Sequence, residues 1–226
     1  MTAREKAKMR RKWKRWLKKI IGEIQNLLVS QYIFQEIGKI VESNPKTQSP
    51  SLFNHWMINN YVSRMAVGIR RLTDKNPRTI SLYNLIEDIA DNPKAIGRDY
   101  FFHRYPERMR DGELATRDFQ EFANKGQKFI NPKGLRRDSK KLLRESKRIK
   151  DFVDKWIAHH DKDRASKVRH IPTFNEMDEA LTLLDKTACK YHGLINGRHA
   201  DTLLPGIYSD WRKPLRYAWI IDKSEE

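Results

Sequence analysis

Cysteine is almost missing from this chain of 226 residues, where Cys189 stands alone. One thiol closes no disulfide within the chain and builds no thiolate zinc site. Long apolar runs are missing too, and no stretch approaches the roughly 20 residues that span a bilayer. The N-terminus is basic but continues as a charged amphipathic segment, with no apolar signal core and no small-residue cleavage site. The cytoplasm is therefore the expected location. The sequence also lacks a glycine-rich phosphate loop, a Gly-x-Ser-x-Gly elbow and a His-Glu-x-x-His pair. These absences remove the usual nucleotide-binding, acyl-transfer and metalloprotease motifs. There is no internal repeat, no low-complexity tract and no series of strands.

Acidic residues are scarce beside basic ones: 29 Asp and Glu face 46 Lys and Arg, a net charge of +17. Two short segments hold nearly all of the excess. Residues 1–19 carry ten basic residues against Glu5 alone, and residues 133–150 carry nine against Asp138 and Glu145. Charge packed into stripes reads as the footprint of a polyanion. Nucleic acid, RNA above all, is the expected partner. A solvated helix face is the bland alternative, and an anionic membrane is a further one for residues 1–19, ranked below RNA. Candidate phosphate contacts are Arg10, Arg11, Lys14 and Arg15 in the first stripe. Arg136, Arg137, Lys140, Lys141, Arg144 and Arg148 are those of the second.

The apolar pattern predicts helices throughout. From Thr2 to Ser43, Trp13, Leu17, Ile20, Ile24 and Leu27 recur at steps of three and four, which marks a long amphipathic helix. Its first four turns are so basic that they are expected to project outward or to pack against a partner. Ser49-Pro50 has the form of an N-cap followed by proline at the first helical position, with Trp56, Tyr61, Met65 and Ile69 facing inward. Ser81 caps a short helix with Leu82, Leu85, Ile86 and Ile89 inward. The mixed stretch Arg98 to Tyr105 suits either base stacking or the core, and the core is the stronger reading. A short helix is expected around Thr116 to Asn124, with Gly126 as its cap. Asn131-Pro132 starts a second long helix running to about His160. Thr173 and Glu176 have the spacing of a capping box, and from Gly193 onward the chain is expected to be irregular. The tail from Trp211 to Ile221 is apolar enough to dock, as a short extended piece. The fold class is all-α: an antiparallel helical bundle of five or six helices with a long basic N-terminal helix. Residues 1–45 form that helix, and residues 46–226 the bundle with its docking tail.

The most distinctive string is Asp154-Lys155-Trp156-Ile157-Ala158-His159-His160-Asp161, at the end of the second long helix. It resembles the N-K-x-x-A-H-x-D ending of the HEPN superfamily, small helical domains of prokaryotic toxin and phage-defence systems. Ile69 to Leu82, a helix-loop-helix with Arg70, Arg71 and Arg78, is similar to the U-type abortive-infection members. The order of the following parts agrees: a capped helix, Leu204-Pro205, then Asp210-Trp211. The resemblance spans roughly residues 50 to 215. It implies a helical bundle, usually dimeric with the site at the seam, and metal-independent RNase activity. Its signature is an arginine four to six residues before a histidine.

A histidine there moves the 2′-hydroxyl proton, and the arginine steadies phosphate charge. Here His160, His159, Lys155 and Asp161 are the candidate catalytic group. Their window contains no arginine, and Lys155 is its one cation. An inactive RNA- or DNA-binding protein on the same scaffold is therefore the alternative. Arg70, Arg71 and Arg78 suit phosphate binding or ion pairs with Asp74, Glu87 and Asp88 equally. His160, Asp161, Asp163 and His170 match no compact metal site, so neither metal nor cofactor is expected. Cys189 reads as a small buried residue.

Overall fold

The computed structural model describes residues 1–48, 51–105, 107, 113–157, 171–197, 199–207 and 209–217. Among them are eight α-helices and no strand, only an isolated bridge between Gly97 and Phe129. The all-α class is as the sequence predicts.

Helix α1 (Ala3–Ser43) begins with a capping box that the sequence reading missed. Thr2 Oγ1 accepts from the Glu5 amide, and the Glu5 carboxylate accepts from the Thr2 amide. Trp13, Leu17, Ile20, Ile24, Leu27 and Leu28 form one buried stripe. The outward projection expected of its first turns does not occur. Trp13 and Leu17 are completely buried, and Trp13 Nε1 donates to Asp88 while Lys12 Nζ reaches the other Asp88 oxygen at 2.8 Å. Long basic side chains flank this stripe and carry their charges outward, so a highly charged helix still contributes a core face.

Helix α2 (Leu52–Leu72) is capped by Ser51, whose hydroxyl accepts from the Asn54 amide at 3.1 Å. The expected cap, Ser49-Pro50, lies outside the described residues. Tyr61, Met65 and Ile69 face inward as predicted, but Trp56 is 61% exposed because the first turns of α2 run past the core. Gly68 lets α2 approach α1: a Cβ there would lie 2.6 Å from a Leu27 methyl. Helix α3 (Leu82–Asp91) starts at Ser81 and buries its four predicted residues. Helix α4 (Arg98–Phe102) places Phe101 and, just beyond it, Tyr105 in the core. Helix α5 (Glu113–Gln120) starts three residues before the predicted position. Gly126 takes a left-handed φ of 78° in the loop that follows.

The second long helix proves to be segmented. Helix α6 (Pro132–Glu145) ends where the buried Ser146 hydroxyl donates to the Leu142 carbonyl at 2.7 Å. That bond competes with the helical ladder and lets the chain bend. Helix α7 (Lys147–Phe152) follows, then one π-helical turn (Val153–Ile157). Helix α8 (Phe174–Asn196) opens on the predicted Thr173–Glu176 capping box. It runs on through the buried Gly193, where irregular chain was expected, and stops at Gly197 with φ 68°. Leu203 docks beyond it: its amide and the Thr202 hydroxyl donate to Asp185 at 2.8 and 2.6 Å. Further on, a 3-10 turn (Lys213–Arg216) replaces the expected extended piece, and residues 218–221 lie outside the described residues.

Helices α3 and α8 each pack on both α1 and α6, while α2 packs on α1, α7 and α8. If α1 is part of this core, Trp13→Ala costs about 3–5 kcal/mol in urea unfolding. An arm that projected freely would lose almost nothing.

Candidate functional site

The π-helical turn lies directly before Ala158, His159, His160 and Asp161, which fall outside the described residues. Ile149, Phe152 and Val153 are buried and tie α7 and this turn to α2. Such wide turns recur at functional sites because the backbone leaves the regular ladder. Asp154 occupies the turn and binds two cations. Arg70 Nε, from the last turn of α2, donates to Oδ1 at 2.9 Å, and Lys150 Nζ donates to Oδ2 at 2.5 Å. Arg70 Nη1 also lies 3.6 Å from Asp74.

Burial alone would raise the Asp154 pKa, but the bonds from Lys150 and Arg70 outweigh it and hold the carboxyl below its ordinary value. The bond to Asp154 in turn pushes Arg70 upward. Lys155 is half-buried in the same turn. Sequence spacing could not show the Arg70–Asp154 pair, whose members are 84 residues apart.

The predicted phosphate contacts divide into engaged and available groups. Arg10 is engaged: it donates to the Ala95 carbonyl at 2.8 Å and lies 3.9 Å over the Tyr100 ring. Arg136 pairs with Asp91 at 2.6 Å, Arg144 with Glu145 at 2.6 Å, and Arg148 with Glu176. Arg71 reaches Glu23 at 3.7 Å with most of its side chain in solvent. Arg11, Lys14 and Arg15 on α1, Arg137, Lys140 and Lys141 on α6, and Arg78 are exposed, with no ion pair among the described residues. Arg4, Lys8, Lys18 and Lys19 were not singled out individually, yet they are exposed and extend the α1 row. Positions 4, 8, 11, 15 and 18 share one side of a helix. Lys14 and Lys18 also border a groove of about 450 Å³ shared with His192 and Asn196 of α8. Helices α3 and α8 each contact both α1 and α6, the two helices that carry the stripes.

The aromatic stretch is structural: Phe101 packs against Tyr105 and Phe119 with ring centroids 5.6 and 5.3 Å apart. The Cys189 thiol is buried beside Asp185, and burial first, then that carboxylate, pushes its pKa up to about 11. It is no nucleophile at neutral pH.

The depressed Asp154 carboxyl gives a pH signature. Its contribution is present above the unfolded carboxylate value of about 3.9 and is lost as pH falls through the lower folded value. Asp154→Asn should therefore be less stable than wild type near pH 7, with the difference shrinking as pH falls below the unfolded carboxylate value of about 3.9 in urea titrations. Equal stability at both pH values would remove the proposed strength of this contact.

Comparison with known proteins gives one family. The description of the matching family is AbiU2, a HEPN family, and the match covers residues 11–213. No curated protein and no solved structure matches the chain. The match begins inside α1 and runs through the Arg70–Asp154 pair, the histidine string and the docked segment beyond α8. A chain matched over that span belongs to the AbiU2 family of HEPN proteins.

Proposed function

We propose that this protein binds RNA through the cationic sides of α1 and α6 and cleaves it without a metal, His160 acting as the proton-transfer group. The observation that carries the reading is the row of exposed cations on α1, without ion pairs among the described residues, set on a helix whose apolar stripe is already buried. A helix in that state has no apolar face left to lie in a membrane interface, so the row suits a hydrated polyanion better than a bilayer. No described helix is long and apolar enough to cross a membrane, and the cytoplasm suits such a substrate.

In the proposed step His160 takes the proton of a ribose 2′-hydroxyl. The 2′-oxygen forms a bond to phosphorus, the 5′-oxygen–phosphorus bond breaks, and the leaving 5′-oxygen takes a proton from water. The product is a 2′,3′-cyclic phosphate. His159, Lys155 and Asp161, its neighbours in the sequence, are the groups proposed to orient the histidine or steady phosphate charge. A homodimer is the proposed assembly, and the exposed Leu52, Phe53 and Trp56 of α2 offer it an apolar face.

One observation favours a second reading, a binding-only protein. The window before the histidines holds Asp154 rather than arginine, and a carboxylate repels phosphate.

Both readings meet in one assay, purified protein with mixed RNAs in EDTA. Wild type should cleave, and His160→Ala should lose at least about 100-fold in rate. Intact RNA with both proteins, bound in a salt-sensitive way, would leave the binding-only reading standing. Removing Arg11, Lys14 and Arg15 together should lower the slope of log affinity against log salt by about two for single strands.

A further inference from the structure

We propose that the groove between α1 and α8 takes up one unstacked nucleotide of the bound strand, with Lys14 and Lys18 on its phosphate and Gln25 and Asn196 on the edge of its base. This inference rests on the RNA-binding reading and is independent of cleavage. The groove has a volume of about 450 Å³, within the range of small-ligand pockets. Both of its walls follow from helical spacing. Lys14, Lys18, Ile21, Gly22 and Gln25 lie at steps of three and four on α1, and His192 and Asn196 are one turn apart on α8. Gly22 opens the groove, since a Cβ there would meet nothing within 4 Å. It is also the next position of the cation row, one turn beyond Lys18, so the row runs to the edge of the groove. A strand carried on that row brings a nucleotide to the opening.

The lining matches the parts of a nucleotide. Lys14 and Lys18 are exposed and make no ion pair among the described residues, so both ammonium groups are available to a phosphate. The side-chain amides of Gln25 and Asn196 make no hydrogen bond among the described residues either, although both residues are half-buried. An amide donates and accepts at once. A bare phosphate uses only the donor, whereas a base edge uses both, as when Asn or Gln holds adenine. Half-buried Ile21 and the bare backbone at Gly22 supply an apolar surface for the face of the base, and His192 lines the α8 side. The base must come from a single strand, because A-form pairing keeps it stacked and occupies its hydrogen-bonding edge. The larger groove between α6 and α8 suits a phosphate less well, because Glu145, Glu176, Asp178 and Glu179 stand among its cations.

A groove that merely widens the cationic surface needs only its charges, whereas a base subsite needs its space and its amides. The test therefore leaves every charge in place. Full-length wild type, Gly22→Leu and Gln25→Leu are titrated in EDTA with a short 2′-O-methyl RNA, which lacks the hydroxyl that cleavage needs. The same strand paired with its complement, and a strand of equal length without bases, are titrated beside it, and thermal melting is recorded for each protein. Gly22→Leu fills open space and replaces a glycine within a helix, so it should melt at or above wild type. Wild type should bind the single strand about tenfold more tightly than the baseless one. Both variants should lose most of that preference while keeping the wild-type slope of log affinity against log salt. Neither should change affinity for the duplex or the baseless strand by more than about twofold. If Gly22→Leu melts early, Gln25→Leu alone decides. Variants that keep the full preference, variants that weaken all three strands equally, or a wild type without the preference overturn the subsite and leave RNA binding by the cation rows intact. Wild type that binds none of the strands overturns both.

Discussion

The buried stripe of α1 is the constraint on which the other helices depend. Trp13, Leu17, Ile20, Ile24 and Leu27 are buried along one side of α1, which packs on α8, and Gly68 lets α2 close against Leu27. Asp88 extends the seam to α3 by taking Trp13 Nε1 and Lys12 Nζ on its two oxygens. Helix α3 in turn carries α6, whose Ser139 hydroxyl donates to Glu87 one residue away from Asp88. A basic helix thus organises the bundle because charge and packing occupy different sides of it.

The same division of labour recurs at the π-helical turn. Ile149, Phe152 and Val153 supply the packing, while Asp154 supplies a polar tie to α2. A carboxylate in partial burial is costly unless its oxygens are satisfied, and here each receives a cation. The tie therefore sets the register of the turn against α2.

Local signals were the most legible part of the sequence. Ser81, Asn131-Pro132 and Thr173–Glu176 mark helix starts because a cap and its amide lie within three residues of each other. The family resemblance rests on strings of that same local kind. What failed were features set by distant partners or by single bonds. The docking of the first turns of α1 depends on Asp88 and Ala95, 76 and 85 residues from the lysine and arginine that meet them. The interruption at Ser146 is one hydroxyl choosing the Leu142 carbonyl, and a periodicity count reads straight through it. At the candidate site Lys155 was legible by its place in the string. Arg70 appeared only as one of three arginines in a loop-flanking segment, and the fold alone joins it to Asp154.

The capping box at Thr2 has a consequence for how α1 presents its cations. Held from its first turn and seated on the core, the helix keeps its outer cations at a fixed pitch, from Arg4 to Lys19 over about 22 Å. A basic tail of the same composition would have to surrender chain entropy before its charges could line up. This row is preorganised, so association with the proposed polyanion would draw on released counterions without a folding penalty, and its heat-capacity change would stay small.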